Sequence, residues 1–466
     1  MKSTRRQFLK AGAGVSVLAS GLNTSVQAAE SGTLPVIAET DICVLGGSCT
    51  GVFAAIRAAR LGAKVSIVEK TNAFGGVATN GLVFVWHSLM NTEFDKQIIA
   101  GLTEETMHRL KKRGTVIFRQ RSAAGGFRFN SQELKIELDE MVLEHHIRPF
   151  LHTLFSEPVL DNDGHLTGVI VDNKNGRGIV KAKAFIDATG DGDLCHRLGL
   201  ESYTVDGLLP PTTCAHYEGW NRDIVNLMRD HGSEFDLPEG FVWGSEIPGC
   251  DTSMIAGTRV YNVNCADADD LTRAEIEGRR QVRAVMDLAR TYLPDNNIVL
   301  TALPSYMGVR QTRQIKCQYQ LTGNDVLYGR HFDDAIAYGS YRVDIHHHDK
   351  PGITFRYLDG REVYSRPGYP GEEKRWRPET ATNPTFYQIP FRSIVPGTFD
   401  NLIIAGRMFD ADKVAFSGAR VMVNMNQLGE AAGTAAYLAI DQGRAIQHLA
   451  ADDVRKYMEK QGSIML

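Results

Sequence analysis

Residues 41–70 constrain the chain more than any other stretch. They open with a short apolar run, Ile42 to Leu45, of the kind a buried parallel strand needs. A glycine turn follows at Gly46, Gly47 and Gly51, then an alanine-rich helical run to Arg60 that Leu61-Gly62 ends. A second apolar run, Val65 to Val68, closes on an acid, Glu69. Strand, glycine turn, helix, strand and terminal acid make a complete βαβ unit of the dinucleotide-binding type. The helix N-terminus offers N–H groups and positive dipole to a pyrophosphate, and Glu69 offers acceptors to ribose hydroxyls. The second glycine of G-x-G-x-x-G is replaced by Ser48, which tightens the approach of a phosphate. A plain βαβ unit without ligand is the competing reading.

The first 30 residues read as a targeting segment. Thr4-Arg5-Arg6-Gln7-Phe8-Leu9-Lys10 is a paired-arginine region, followed by a weakly apolar stretch over 11–22 and a small-residue site at Val26-Gln27-Ala28. This order resembles a twin-arginine export signal, which implies passage through the twin-arginine export machinery and a periplasmic or extracellular location. The apolar part is too short and glycine-rich for a membrane span, so no stable membrane insertion is expected.

Composition narrows the rest. With 51 basic and 55 acidic side chains the net charge is −4, and there is no basic stripe, so nucleic acid is not an expected partner. The seven cysteines are scattered and none forms C-x-x-C, which disfavours a zinc or iron–sulfur site; no metal is expected.

Beyond Glu69, residues 71–83 carry Gly75, Gly76 and Gly81 in an apolar context, as where backbone lies against something flat or anionic. Asn130 with Glu133 predicts a helix start, with Leu134, Leu138, Met141 and Val142 on its packed face. Residues 150–186 predict a three-stranded meander running into Asp187-Ala188-Thr189-Gly190-Asp191-Gly192-Asp193. Gly190 lets backbone approach a nucleotide and Asp191 follows at once; a structural turn explains the same residues.

From Tyr203 to Pro384 helical segments, such as 273–292, mix with irregular stretches, which predicts an inserted mixed α+β substrate domain. Residues 360–387 are long for a connection and predict a lid. The chain then returns to a buried strand ending at Gly406 and Arg407, and to a small-residue helix over 421–439 containing Gly429. The expected organisation is α/β: a signal over 1–30, a Rossmann-like nucleotide domain split between 38–202 and 385–466, and a substrate domain over 203–384.

Gly-Gly-x-Ala-Thr at 75–79, Ala-Thr-Gly-Asp-Gly-Asp at 188–193, Gly-Val-Arg-x-Thr-Arg at 308–313, Ala-Gly-Arg at 405–407 and Gly-Glu-Ala-Ala-Gly at 429–433 occur in fixed order. In this the chain resembles the FAD-dependent oxidoreductases of the two-dinucleotide-binding-domain flavoprotein superfamily, over nearly its whole length after the signal. The resemblance implies FAD, with Gly46, Gly47, Ser48 and Gly51 at the pyrophosphate and Glu69 at the adenosine ribose. It further implies Gly75, Gly76 and Thr79 along the flavin, Gly406 and Arg407 beside it, and the helix after Arg420 directed at its pyrimidine end.

His346, at the end of an apolar–polar alternation, is the first candidate for catalytic base or acid, and His87 a weaker one. Arg310, with Arg313, is the candidate to bind an anionic or polyhydroxyl substrate, and Arg420, with Arg392, is expected near the flavin. Structural histidines and interface ion pairs are the bland alternatives. The leading expectation is an exported dehydrogenase of a small polar substrate (a sugar, polyol or hydroxy acid) using a separate electron acceptor. Its alternatives are a reductase of an unsaturated acid and a non-catalytic electron-transfer module.

Overall fold

The computed structural model describes residues 34–118, 121, 126–205, 207–240, 242–366 and 368–466. The export-signal reading lies outside the described residues. At the centre is a five-stranded parallel sheet in the order Leu402–Ile404, Ala184–Asp187, Ile42–Leu45, Val65–Val68, Arg148–Phe150. The two strands flanking the glycine turn, Ile42–Leu45 and Val65–Val68, are buried at every position, which is why they read as unbroken apolar runs.

Helix Cys49–Arg60 follows the first of these strands, and Ser48 caps it: its hydroxyl accepts the Gly51 N–H at 3.5 Å. The serine thus satisfies a helix donor at the place where the motif has glycine. Helix Met422–Gln442 packs directly on Cys49–Arg60. A Cβ at Gly429 would lie 2.1 Å from Thr50 O, and one at Gly433 2.1 Å from Ala54 O. The small residues of this helix therefore serve the close contact of two helices. Beneath them the buried Arg57 guanidinium pairs with Glu430 and donates to Gln461 O at 2.8 Å, while Glu430 also takes the Leu102 N–H at 3.1 Å.

The predicted helix start at Asn130 is present. Its side chain accepts the Gln132 N–H, and the four apolar positions of helix Ser131–Glu144 are buried. The meander differs in its ends. It consists of Leu154–Leu160, Leu166–Asn173 and Gly176–Lys181, with Val36–Glu39 added in parallel at the edge. The apolar run after Gly178 is broken at Ala182 and Lys183, because the Lys183 and Ala184 N–H groups both turn to Asp41 O. Ala184–Asp187 thereby joins the parallel sheet, and Arg148–Phe150 lies there too instead of starting the meander.

In the middle of the chain an antiparallel sheet, Trp243–Glu246, Ser253–Ala256, Ala215–Glu218, Val299–Ala302, packs on helix Ala268–Tyr292 through Ala215, Tyr217, Val282, Val285 and Leu288. A second, Val343–His346, Ile353–Arg356, Arg361–Ser365, Glu372–Arg375, is a meander. The stretch read as a lid supplies its last two strands, and Tyr387–Pro390, which begins at its last residue, pairs with Ala335–Gly339. Its arginines and tryptophan tie down backbone: Arg377 Nη2 donates to Leu358 O at 2.7 Å, and Trp376 Nε1 to Tyr357 O at 2.8 Å. Residues Pro35–Leu466 pack as one compact unit.

Candidate active site

A cavity of about 570 Å³ runs from the N-terminus of helix Cys49–Arg60 to the strand Val343–His346. Gly46, Ser48, Glu69, Gly75, Gly76, Gly190, Asp191, Gly406 and Arg407 all line it, together with His346, Arg310 and Arg420. Residues as far apart as 46 and 420 in the chain thus meet at one surface.

Six sequence candidates lie outside this lining. Gly51 faces the preceding turn, where a Cβ would stand 1.9 Å from Gly46 O. Gly47 donates its N–H to Glu69 Oε2 at 2.6 Å, so it holds the acid in place. The Thr79 hydroxyl, fully buried, donates to Phe74 O at 2.6 Å and closes the glycine turn from behind. Gly429 serves the helix–helix contact described above. Arg313 donates to Ala266 O, and Arg392 chelates Asp334; neither lines the cavity.

At the nucleotide end Glu69 Oε1 also accepts the N–H and hydroxyl of Thr71 at 2.8 and 2.6 Å, which fixes its rotamer. Gly46 adopts φ +99, and a Cβ there would stand 2.2 Å from Ala188 O, so the two strand ends approach only because this residue is glycine. Asp191 accepts from Arg407 at 2.6 Å and from the Thr312 hydroxyl at 2.8 Å. Burial raises its pKa, but Arg407 and Lys70 outweigh that and hold it below the usual carboxylate range.

At the other end His346 Nε2 stands 3.3 Å from Asp344 Oδ1, while the Tyr341 hydroxyl donates to Asp344 Oδ2 at 3.0 Å. Arg420 Nη2 is 3.7 Å from the same carboxylate. With Nε2 turned to Asp344, the buried Nδ1 of His346 has no protein partner. Burial, reinforced by Arg310 and Arg420, lowers the His346 pKa despite Asp344, so the ring is neutral. Asp344 is held well below the usual carboxylate range: burial raises it, but His346, Arg420 and Tyr341 prevail. The His87 ring is tilted at 52° against Tyr341 with ring centroids 4.1 Å apart, and burial drives its pKa down to about 3. A neutral imidazole with one nitrogen oriented by a carboxylate and the other free is a proton acceptor.

Asp344 and Tyr341 went unassigned in the sequence. The signal was present for the first, because residues two apart in a strand share a face and Asp344 stands two before His346. Tyr341 precedes the strand, and nothing in its spacing marks it.

The sequence matches the family described as FAD dependent oxidoreductase over residues 41–458. The chain belongs to that family. As a member it is an oxidoreductase that binds FAD. Comparison with curated proteins gives no match. Among solved structures it is similar to a geranylgeranyl bacteriochlorophyll reductase-like protein from Thermoplasma acidophilum, at 13% identity, with 91% of this chain and 82% of that one covered and a TM-score of 0.46. It is similar also to a triple mutant of the flavin-dependent brominase Bmp2, at 12% identity over 91% and 84% with a TM-score of 0.45. A glycerol-3-phosphate dehydrogenase from Bacillus halodurans complexed with FAD aligns at 14% identity over 60% and 57%, with a TM-score of 0.36.

The cavity suits FAD in its donor set. Ser48 and Thr50 open the helix N-terminus onto it, Glu69 waits beside the loop, and Gly75, Gly76 and Gly190 present backbone without side chains. Asn426 and Tyr306 line the same cavity, and Asn426 Oδ1 and Tyr306 Oη are buried and unpartnered, as groups are that await a ligand. Gly46, Ser48, Thr50 and Glu69 would hold the nucleotide half. Gly75, Gly76, Gly406 and Asn426 would hold the half that reacts.

Proposed function

We propose that the protein is an exported dehydrogenase of a small polar alcohol, of the sugar, polyol or hydroxy acid kind. Bound FAD supplies a two-electron acceptor for hydride. His346 Nδ1 takes the proton from the substrate's hydroxyl oxygen as the hydride leaves the carbon that bears that hydroxyl, and Asp344 stabilises the imidazolium that forms. Arg310 and Arg420 orient the substrate. Reoxidation uses a separate electron acceptor, and the paired-arginine segment takes the folded, FAD-loaded protein through the twin-arginine export machinery to the periplasm.

The observation that carries this reading is the His346–Asp344 pair: the histidine lines the cavity, and its Nδ1 has no protein partner. The test is anaerobic reduction of the flavin by sugars, polyols and hydroxy acids in the natural protein and in His346→Gln. The reading expects one class to bleach the flavin, and the variant to slow that step by about 10²–10⁴-fold, the usual worth of a positioned base. Equal bleaching rates in both proteins would remove His346 from the chemistry.

A further inference from the structure

The surroundings of His346 hold more positive charge than the protein neutralises. Arg310, Arg342 and Arg420 line the cavity with Asp344, and Arg259, 4% exposed, is near enough to feel the charge of Arg310. Among the described residues, Arg420 alone of the four has a carboxylate within ion-pair distance, and that carboxylate is Asp344 at 3.7 Å. Arg310 donates to the carbonyl of Pro210; Arg342 donates to the Tyr357 hydroxyl at 3.1 Å and lies over the Phe355 ring. The Nε atoms of Arg342 and Arg420 are buried with no partner. His346 and His87 are neutral and contribute no charge. Four guanidiniums around one carboxylate would be costly to bury unless a ligand supplied the missing anion. The crowding is visible in their acidity: burial, and then the charge of Arg420, lowers Arg310 to about 10, and burial, and then the charge of Arg310, lowers Arg259 to about 9.

We infer that the substrate carries an oxyanion, a carboxylate or a phosphate ester, which Arg310, Arg342 and Arg420 bind beside His346. This rests on the dehydrogenase reading and narrows it: hydroxy acids or phosphorylated alcohols, and not neutral sugars or polyols. Guanidinium forks match either oxyanion through paired N–H bonds. The anion also offsets the charge that forms on His346 when it takes the proton.

The test is equilibrium binding to the FAD-loaded protein, read from the flavin's visible spectrum. Oxalate and malonate probe the carboxylate source, inorganic phosphate the phosphate source, and oxamide and malonamide serve as neutral counterparts. One oxyanion class is expected to bind, more weakly as salt rises, and about 10- to 100-fold more weakly in Arg310→Gln, the loss typical of a charge-assisted bond. Arg342→Gln replaces that variant if it does not hold flavin. Amides binding as tightly as the acids, or oxyanions leaving the spectrum unchanged, would overturn the inference and give the arginines to the flavin. Oxyanion binding without turnover of any hydroxy acid would sink the dehydrogenase direction while the oxyanion site stands.

Discussion

Asp344→Asn isolates what the carboxylate does for His346. The substitution keeps size and shape and removes one charge in a pair whose side chains are 12% and 6% exposed. At the 3.3 Å separation of Nε2 and Oδ1, attraction between an imidazolium and a carboxylate is about 5 kcal/mol at an effective dielectric of about 20. Arg420 lies 3.7 Å from the same carboxylate, and shares part of that field. About 3 to 4 kcal/mol then remains for the charged transition state, or about 10²–10³ in rate. The assay is single-turnover flavin reduction by the best substrate in the panel, followed anaerobically by stopped flow. The flavin spectrum should stay normal, because Asp344 does not hold the cofactor in this account. A variant reducing its flavin within about threefold of the natural rate would refute the dyad, since so small a loss is less than 1 kcal/mol.

Three further outcomes follow from the packing. Gly429→Ala drives a methyl into the Thr50 carbonyl, 2.1 Å from the ideal Cβ position; it should cost about 1–3 kcal/mol in denaturant unfolding, whereas a cofactor-contacting glycine would show itself first as weakened FAD binding. Glu430→Gln leaves the buried Arg57 guanidinium without its charge partner, and should cost about 3–5 kcal/mol, read from the shift of the urea midpoint. Acid should destabilise the fold through His87 and His346, whose folded pKa values are both lowered, that of His87 to about 3. The unfolded chain binds more protons below about pH 6.5, so their contribution is full above that pH and fades toward pH 3, at up to about 1.4 kcal/mol per pH unit per histidine. Replacing His87 by Gln should flatten that decline in a pH series of melting temperatures.

The nucleotide half was legible because its signals are local. A buried parallel strand must be apolar throughout, a tight turn needs glycine, and a helix start needs a cap, so residues 41–70 announce their structure without reference to the rest. The same locality misleads at Gly429, where close backbone approach selects glycine whether the neighbour is a cofactor or another helix. Thr79 shows the same ambiguity: its place in a glycine-rich turn suggested a ligand, and its hydroxyl closes the turn. Residues 360–387 hid their strands, Arg361–Ser365 and Glu372–Arg375, since the prolines, glycines and charges around them resemble those of a loop. At the active site the residue types were readable and their grouping was not. Arg310 and Arg420 stand far from His346 in sequence, and only the packing of the middle segment on the C-terminal helices brings them to one carboxylate.

The central claim is that this cavity joins FAD to a histidine that accepts the substrate's proton. The most direct measurement is an anaerobic titration of the purified, FAD-loaded protein with hydroxy acids, phosphorylated alcohols and their neutral counterparts, natural and His346→Gln side by side. The account predicts a yellow protein bleached by one anionic class, with the variant equally yellow and bleached far more slowly. A protein that holds no flavin, or a variant bleached as fast as the natural one, would contradict it.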